Sequence, residues 1–186
     1  MQSIEIQMLP CHANTHAVEM KQIVNIVNRV YAASEGSLWK RRAIRTTVEE
    51  VVDLVRAGEM AVARSPRGIV GCVHIRRIDE STGEFGMLAV DNDFQGTGIG
   101  RALVRFAEQK CIKEHLRSMQ LELLEPQVGS HPAKVILKNW YMRIGYRPVR
   151  TESVDSLFPA LVELLAVPCK FVILQKELVE AQGVGS

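Results

Sequence analysis

The sequence predicts an α+β or α/β sandwich, in which helices are interspersed among strands that are antiparallel in the middle of the chain. Three segments, 59–64, 68–76 and 84–90, are strand-like and are separated by turn-forming residues. Two further segments, 18–31 and 99–112, carry apolar residues at helical spacing. The chain has 186 residues, of which 47% are hydrophobic, and this suffices for one domain with a buried core.

The N-terminal part of the chain predicts one strand and two helices. Residues 4–8 alternate between apolar and polar, which is typical of a strand. The helix over 18–31 has one apolar face. Two overlapping Thr-x-x-Glu patterns, at 46–49 and 47–50, are candidates for a capping box. We therefore expect a second helix to begin there and to end near Gly58.

The C-terminal part predicts two strands and two helices after the helix that begins near Gly98. The alternation over 119–123 indicates a strand, and a last strand is expected over 169–174. Residues 133–144 have helical spacing, with Ile136 among the residues expected to face inward. A short helix is expected over 157–166.

Composition excludes several classes of function. The net charge is +2, so nothing indicates a nucleic-acid-binding or membrane-binding surface. The four cysteines form no Cys-x-x-Cys pair and have no histidine at metal-binding spacing. The sequence shows neither a secretory signal nor an apolar stretch of membrane-spanning length, which favours a reducing, cytoplasmic location.

A glycine-rich turn lies between a predicted strand and a predicted helix. The turn consists of Gln95-Gly96-Thr97-Gly98-Ile99-Gly100, after the apolar stretch 86–90. At the start of a helix the backbone N–H groups have no partner within the helix, and the helix dipole is positive. Such a turn favours an anion, usually a phosphate.

The glycine spacing decides among the phosphate-binding motifs. A P-loop needs Lys and then Ser or Thr after its last glycine, whereas Gly100 is followed by Arg101 and Ala102. A dinucleotide fingerprint needs a third glycine three positions after the second. That position is Arg101 in one register and Leu103 in the other, so both readings fail.

The pattern that fits is Gln-x-x-Gly-x-Gly, which resembles the acyl-CoA pyrophosphate loop of the GNAT superfamily of N-acetyltransferases. Residues 83–90 are similar to that family's fourth strand, and 139–146 are similar to its late helix, which ends in Tyr-x-x-x-Gly-Tyr here. The three blocks occur in the family's order, and the resemblance covers roughly residues 4–178. It implies a single GNAT-like domain over 1–178, followed by a frayed tail over 179–186.

The resemblance also implies a fold and a cosubstrate. The fold is a three-layer α/β/α sandwich with a mixed, mostly antiparallel sheet, whose fourth and fifth strands splay apart around the pantetheine arm of CoA. Acetyl-CoA is the implied acyl donor, with no metal. The implied pantetheine contacts are backbone groups, one of them an oxyanion donor, of Leu88, Ala89 and Val90. The implied phosphate contacts are Gln95, Gly96, Thr97, Gly98, Ile99, Gly100 and Arg101.

Two side chains are candidates for proton transfer. Glu84 matches the position at which some family members carry a general base for the attacking amine, and it could equally be a strand-end residue facing solvent. Tyr141 matches the family's general acid, which protonates the CoA thiolate, and it could equally be a core aromatic residue. Many members carry an Asn at the position of Lys134, so its CoA contact is either lost or replaced by a lysine that reaches phosphate.

The acceptor is expected to be an amine held by three loops, at 32–42, 125–131 and 153–168, with His131 either lining the acceptor site or lying at the surface. We expect a small-molecule amine, direct attack without an acyl-enzyme, and a monomer or homodimer. Two alternatives remain open: a protein or peptide N-acetyltransferase, and a non-catalytic acyl-CoA-binding module, which would need neither Glu84 nor Tyr141.

Overall fold

The computed structural model describes residues 3–11, 17–40 and 43–179. Within these ranges, seven strands form one sheet in the order β1-β2-β3-β4-β5-β7-β6. The predicted tail lies outside the described residues from 180 onward. The strands are β1 (Glu5–Met8), β2 (Met60–Ser65), β3 (Gly68–Arg77), β4 (Thr82–Val90), β5 (Ser118–Pro126), β6 (Arg147–Ser153) and β7 (Cys169–Glu177).

The sheet is mixed and mostly antiparallel, as the resemblance implies. All neighbouring strands run antiparallel except β4 and β5, which are parallel. The helices are α1 (Ala17–Glu35), α2 (Val48–Arg56), α3 (Ile99–Lys113), α4 (Pro132–Arg143), α5 (Val154–Leu157) and α6 (Pro159–Val162). Short 3₁₀ turns occupy Gly36–Leu38 and Asn92–Phe94.

Helices cover both faces of the sheet, so the three-layer sandwich is confirmed. On one face α1 and α2 bury Ile23, Val27 and Val51 against β2, β3 and β4. On the other face α3 and α4 bury residues such as Leu103 and Tyr141 against the same strands and β5. Alternate strand residues supply the two faces, which is why both clusters draw on one set of strands.

The capping box of α2 uses the second of the two predicted patterns. The Thr47 hydroxyl oxygen accepts a hydrogen bond from the Glu50 backbone N–H at 3.2 Å, and Glu50 Oε2 accepts one from the Thr47 N–H at 3.1 Å. Thr46 donates to the same Glu50 carboxylate at 2.9 Å. These contacts satisfy N–H groups that have no partner within the helix and so fix where α2 begins.

The structure corrects three predictions about the C-terminal part. Strand β6 was not predicted, because it is an edge strand whose exposed residues show no apolar alternation. The helix expected over 157–166 is instead two single turns that break at Phe158, just before Pro159. Ile136 is 68% exposed on α4 and does not face inward.

Candidate active site

Strands β4 and β5 separate to leave an open edge at the centre of the sheet. Their pairing runs from Thr82 opposite Ser118 to Glu84 opposite Gln120 and extends no further in the described chain. The rest of β4 therefore has no ladder partner on its β5 side. We call this opening the β4–β5 gap, and an extended ligand with amide groups can pair along such an edge.

A bulge changes the course of β4 beside this gap. Cys72 pairs with Ala89 and His74 pairs with Gly86, so the single residue Val73 lies opposite both Met87 and Leu88. Met87 has a φ of 49°, a left-handed conformation that is strained for a residue with a side chain. Bulges of this kind turn the following backbone groups in a new direction. Here those groups belong to Leu88, Ala89 and Val90.

The glycine-rich loop lies between the end of β4 and the start of α3. Gly96 and Gly98 have φ values of 75° and 89°, which glycine adopts without strain, and Gly98 is the N-cap of α3. A Cβ atom built on either of them would meet no heavy atom within 4 Å. The space above both glycines is open to a ligand.

Hydrogen bonds within the loop determine which of its donors are free. The Gln95 N–H donates to the Asn92 carbonyl at 3.2 Å, and the Thr97 N–H donates weakly to the Phe94 carbonyl at 3.4 Å. The other N–H groups of the loop and of the first turn of α3 have no acceptor in the described chain. The free donors are those of Gly96, Gly98, Ile99, Gly100 and Arg101. Together with the exposed side chain of Arg101, these donors are of the kind that can bind a polyanion.

Glu84 is buried and already fully engaged. It is 6% exposed at the last paired position of β4. Arg76 donates from Nε and Nη2 to Oε1 of Glu84 at 2.8 and 2.5 Å, and Gln120 Nε2 donates to Oε2 at 2.7 Å. The carboxylate is therefore not the solvent-facing residue that one interpretation of the sequence describes.

Glu122 is a second carboxylate near the gap, which the sequence analysis did not identify. It follows Gln120 by two residues on β5, so both side chains point to the same face of the sheet. In the described chain Glu122 has neither a hydrogen-bond partner nor an ion-pair partner. Burial, with the nearby charge of Glu84, raises the pKa of Glu122 to about 7. The polar alternation at 120 and 122 was the only sequence signal for it.

Tyr141 lies on the opposite face of the sheet, within an aromatic cluster. Its ring is 4.9 Å from that of Trp140 and 5.9 Å from that of Phe85, measured between centroids. Burial raises the pKa of its hydroxyl well above the usual range, with smaller contributions from Tyr31 and Glu35 on α1. The phenol is thus protonated at neutral pH. Its hydroxyl has no hydrogen-bond partner among the described residues.

Lys134 does not reach toward the loop. Its ammonium forms a buried ion pair with Glu35, and both side chains are 5% exposed. The Trp39 indole N–H also donates to Glu35, at 2.9 Å. The interpretation in which this lysine binds phosphate is therefore wrong, because the α1 carboxylate already holds the ammonium. This ion pair instead joins the end of α1 to the start of α4.

His131 lies just before α4 and is the N-cap residue of that helix. Its Nε2 is 2.9 Å from the Ser37 hydroxyl oxygen, and its Nδ1 is buried without a partner in the described chain. It connects two of the three loops expected to hold an acceptor. In the described residues we find no group of His, Cys, Asp and Glu arranged to bind a metal, and no helix of membrane-spanning character.

A family comparison identifies the chain over the region that contains the gap and the loop. The sequence model of the family described as "Acetyltransferase (GNAT) domain" matches residues 56–148, half of the 186 residues. No curated protein sequence matches the chain significantly.

Solved structures with the same fold cover nearly the whole chain. The PaiA N-acetyltransferase from Thermoplasma acidophilum, in complex with coenzyme A, has a TM-score of 0.70 and 14% identity, covering 94% of this chain and 99% of that one. An aminoglycoside 6'-acetyltransferase type Ii has a TM-score of 0.65 and 14% identity, covering 95% and 98%.

A third structure is the ribosomal-protein-S18-alanine N-acetyltransferase from Escherichia coli, with a TM-score of 0.63 and 12% identity, covering 99% of both chains. At such identities the similarity to solved structures establishes the fold alone. Membership of the family rests on the match of the family's sequence model to residues 56–148. From the gap, the glycine-rich loop and these comparisons, we conclude that the chain belongs to the GNAT acetyltransferase family.

Proposed function

We propose that the protein transfers an acetyl group from acetyl-CoA to the amino group of a small molecule. The observation that carries this proposal is the continuity of two binding features on one stretch of chain. The unpaired edge of β4 ends at Val90, and the free N–H groups of the loop begin six residues later at Gly96. An acyl-CoA has amide groups and a pyrophosphate in the same order along its length.

The residues present fit each part of this ligand. The pyrophosphate is expected at the free N–H groups of the loop and the positive end of α3, with Arg101 available for a charge-assisted hydrogen bond. The amides of the pantetheine arm are expected along Leu88, Ala89 and Val90. A backbone N–H of this segment is suited to stabilising the oxyanion that develops on the thioester carbonyl.

Proton transfer requires a base for the incoming ammonium and an acid for the departing thiolate. Tyr141 is the proposed acid. Its raised pKa keeps the phenol protonated at neutral pH, so that a proton is available for the departing sulfur. A carboxylate beside the gap is the proposed base. Glu84 is the candidate that the sequence indicates, and Arg76 and Gln120 hold its carboxylate at the last position where β4 pairs with β5.

The acceptor class separates the leading proposal from two alternatives. Structures of the same fold include an aminoglycoside acetyltransferase and a ribosomal-protein acetyltransferase, so the fold is compatible with either class of acceptor. A small molecule is preferred, and the sequences of the three loops expected to hold it contain no acidic cluster that would indicate a polyamine. The remaining alternative is binding of acyl-CoA without turnover.

The test is the release of free CoA thiol from acetyl-CoA in the presence of a panel of small amines, amino acids and peptides. We expect rapid release with one class of small amine and an acetylated product 42 mass units heavier. Release only with peptides would indicate the protein acetyltransferase. Binding of acetyl-CoA without release for any acceptor would indicate the binding module.

A further inference from the structure

We propose that Glu122, rather than Glu84, takes the proton from the acceptor ammonium, and that Glu84 is a positioning residue. This inference rests on the proposed function and names a base for it. Three observations carry it: the engagement of Glu84, the placement of Glu122 at the open edge of β5, and the ring of charged groups that faces Glu122.

The contacts of Glu84 leave it poorly suited to accept a proton. Both of its oxygens accept hydrogen bonds, two from Arg76 and one from Gln120, and the side chain is buried. The positions around its oxygens are therefore already taken by donors of this chain. An ammonium would also need a path to an oxygen that is already surrounded by donors.

Glu122 has the opposite properties. It is partly buried, it lacks a hydrogen-bond or ion-pair partner in the described chain, and it lies two residues beyond Gln120, the last position at which β5 pairs with β4. The β5 edge from this point faces the gap in which the thioester is expected. Odd-numbered residues of β5, such as Leu121, pack in the same cluster as Tyr141, whereas Glu122 is on the other face of that strand. Base and acid are therefore on opposite faces of the sheet.

Charged groups from four neighbouring segments set the basicity of Glu122. Glu84 on β4 raises its pKa, whereas Arg76 on β3, Arg45 before α2 and Arg150 on β6 lower it. Burial is the largest influence and also raises it. The resulting pKa of Glu122, about 7, suits a general base at neutral pH, because a large fraction of the group is deprotonated and the carboxylate is still basic enough to accept a proton.

The proposed step balances its protons and electrons. The Glu122 carboxylate takes one proton from the ammonium and later releases it to solvent. The freed nitrogen lone pair attacks the carbonyl carbon and forms the C–N bond, and the C–S bond breaks with its electron pair on sulfur. Tyr141 protonates the sulfur, and the second nitrogen proton restores the phenol. Overall, the ammonium and the thioester are converted into the amide, the CoA thiol and one proton.

The test is the pH dependence of kcat/KM for the best acceptor, measured for the wild type and three Glu→Gln variants. For the wild type we expect activity to rise with pH through an apparent pKa of about 7, because the base works only when deprotonated. In Glu122→Gln this limb should vanish and kcat should fall about 10²–10⁴-fold, with KM for acetyl-CoA unchanged.

Glu84→Gln should behave differently, because it removes a negative neighbour and leaves the base in place. The rising limb should persist and shift to lower pH, an effect that a purely structural role for Glu84 would not produce. Glu177→Gln, an exposed carboxylate on β7 at the closed end of the sheet, serves as the matched control and should match the wild type.

The outcomes separate this inference from the proposed function. A Glu122→Gln protein with the wild-type rate and pH limb would overturn the role of Glu122 while leaving acetyl transfer in place. Loss of the limb in Glu84→Gln alone would assign the base to Glu84 and also overturn the inference. A wild-type protein that binds acetyl-CoA but acetylates no amine would overturn the proposed function, and the role of Glu122 with it.

Discussion

At the residue scale, chemically identical side chains acquire different roles from their neighbours. Glu84 and Glu122 lie on the same face of adjacent strands, yet only Glu84 is bound by donors on both oxygens. The sequence indicated Glu84 because it matches the position at which some members of the family carry a general base. It could not indicate Glu122, since the absence of a partner and the raised pKa depend on residues brought together from four segments.

Tyr141→Phe should lower kcat about 10²–10⁴-fold with little change in KM for acetyl-CoA, because it removes the proposed acid and keeps the ring in its aromatic cluster. The measurement is steady-state kinetics on the best acceptor. Tyr146→Phe is the matched control. The Tyr146 hydroxyl donates to Glu108 at 3.0 Å inside the core, so its loss should affect stability rather than turnover.

Near-normal turnover of a folded Tyr141→Phe protein would leave Tyr141 as a core aromatic residue and remove it from the mechanism. An equal loss of turnover in Tyr146→Phe would show that both substitutions act through packing.

Lys134→Met should destabilise the protein by about 3–5 kcal/mol, because it leaves the buried Glu35 carboxylate without its cation. For a chain of this length that corresponds to a decrease in Tm of roughly 6–20 °C. The double variant Lys134→Met/Glu35→Gln should recover part of the loss. The neutral amide can still accept the hydrogen bond from Trp39, and no buried charge remains unpaired.

The measurement is urea unfolding of the wild type, both single variants and the double variant, combined as a double-mutant cycle. Strictly additive free energies of unfolding would contradict the ion pair that joins α1 to α4.

At the element scale, local signals predicted some features well and missed others for physical reasons. The β4 strand, the glycine-rich loop and α3 follow from short-range patterns of alternation, glycine and helical spacing. The capping box of α2 is equally local. Strand β6 was missed because an exposed edge strand needs no apolar face. In the described chain, β4 pairs with β5 from residues 82–84 to residues 118–120. No local sequence pattern encodes where such pairing stops.

Gly98→Asp should weaken CoA binding at least tenfold while the fold is retained. A carboxylate there would face the pyrophosphate, and like charges about 4 Å apart repel by about 4 kcal/mol at the effective dielectric near a protein surface. The added side chain meets no neighbour, so the structural cost is mainly the left-handed backbone, about 1–2 kcal/mol. The measurement is calorimetric titration with CoA.

Gly36→Asp is the matched control for this variant. Gly36 also has open space around its Cβ position, it does not have a positive φ, and it lies outside the loop. Unchanged CoA affinity in a folded Gly98→Asp protein would remove the loop from the binding site.

At the scale of the whole molecule, the fold class was predicted correctly, whereas the class of acceptor stays a prediction. The order of elements predicted an α+β or α/β sandwich. The resemblance to the family implied the mixed sheet between two helical layers and the gap between β4 and β5. Structures of the same fold at 12–14% identity include an aminoglycoside acetyltransferase and a ribosomal-protein acetyltransferase. The acceptor is chosen by loops and by the few side chains around the gap, which the common fold leaves free to vary.

The central claim is that the loop and the β4–β5 gap together bind acetyl-CoA, and thermal unfolding with ligands tests it most directly. At about 100 times Kd, acetyl-CoA or CoA should stabilise the protein by about 2.7 kcal/mol, or roughly 5–10 °C in Tm. NAD and ATP at the same concentration should shift Tm much less, and Gly98→Asp should abolish most of the acetyl-CoA shift. Equal shifts from all four ligands, or a full shift in the Gly98→Asp variant, would contradict the account.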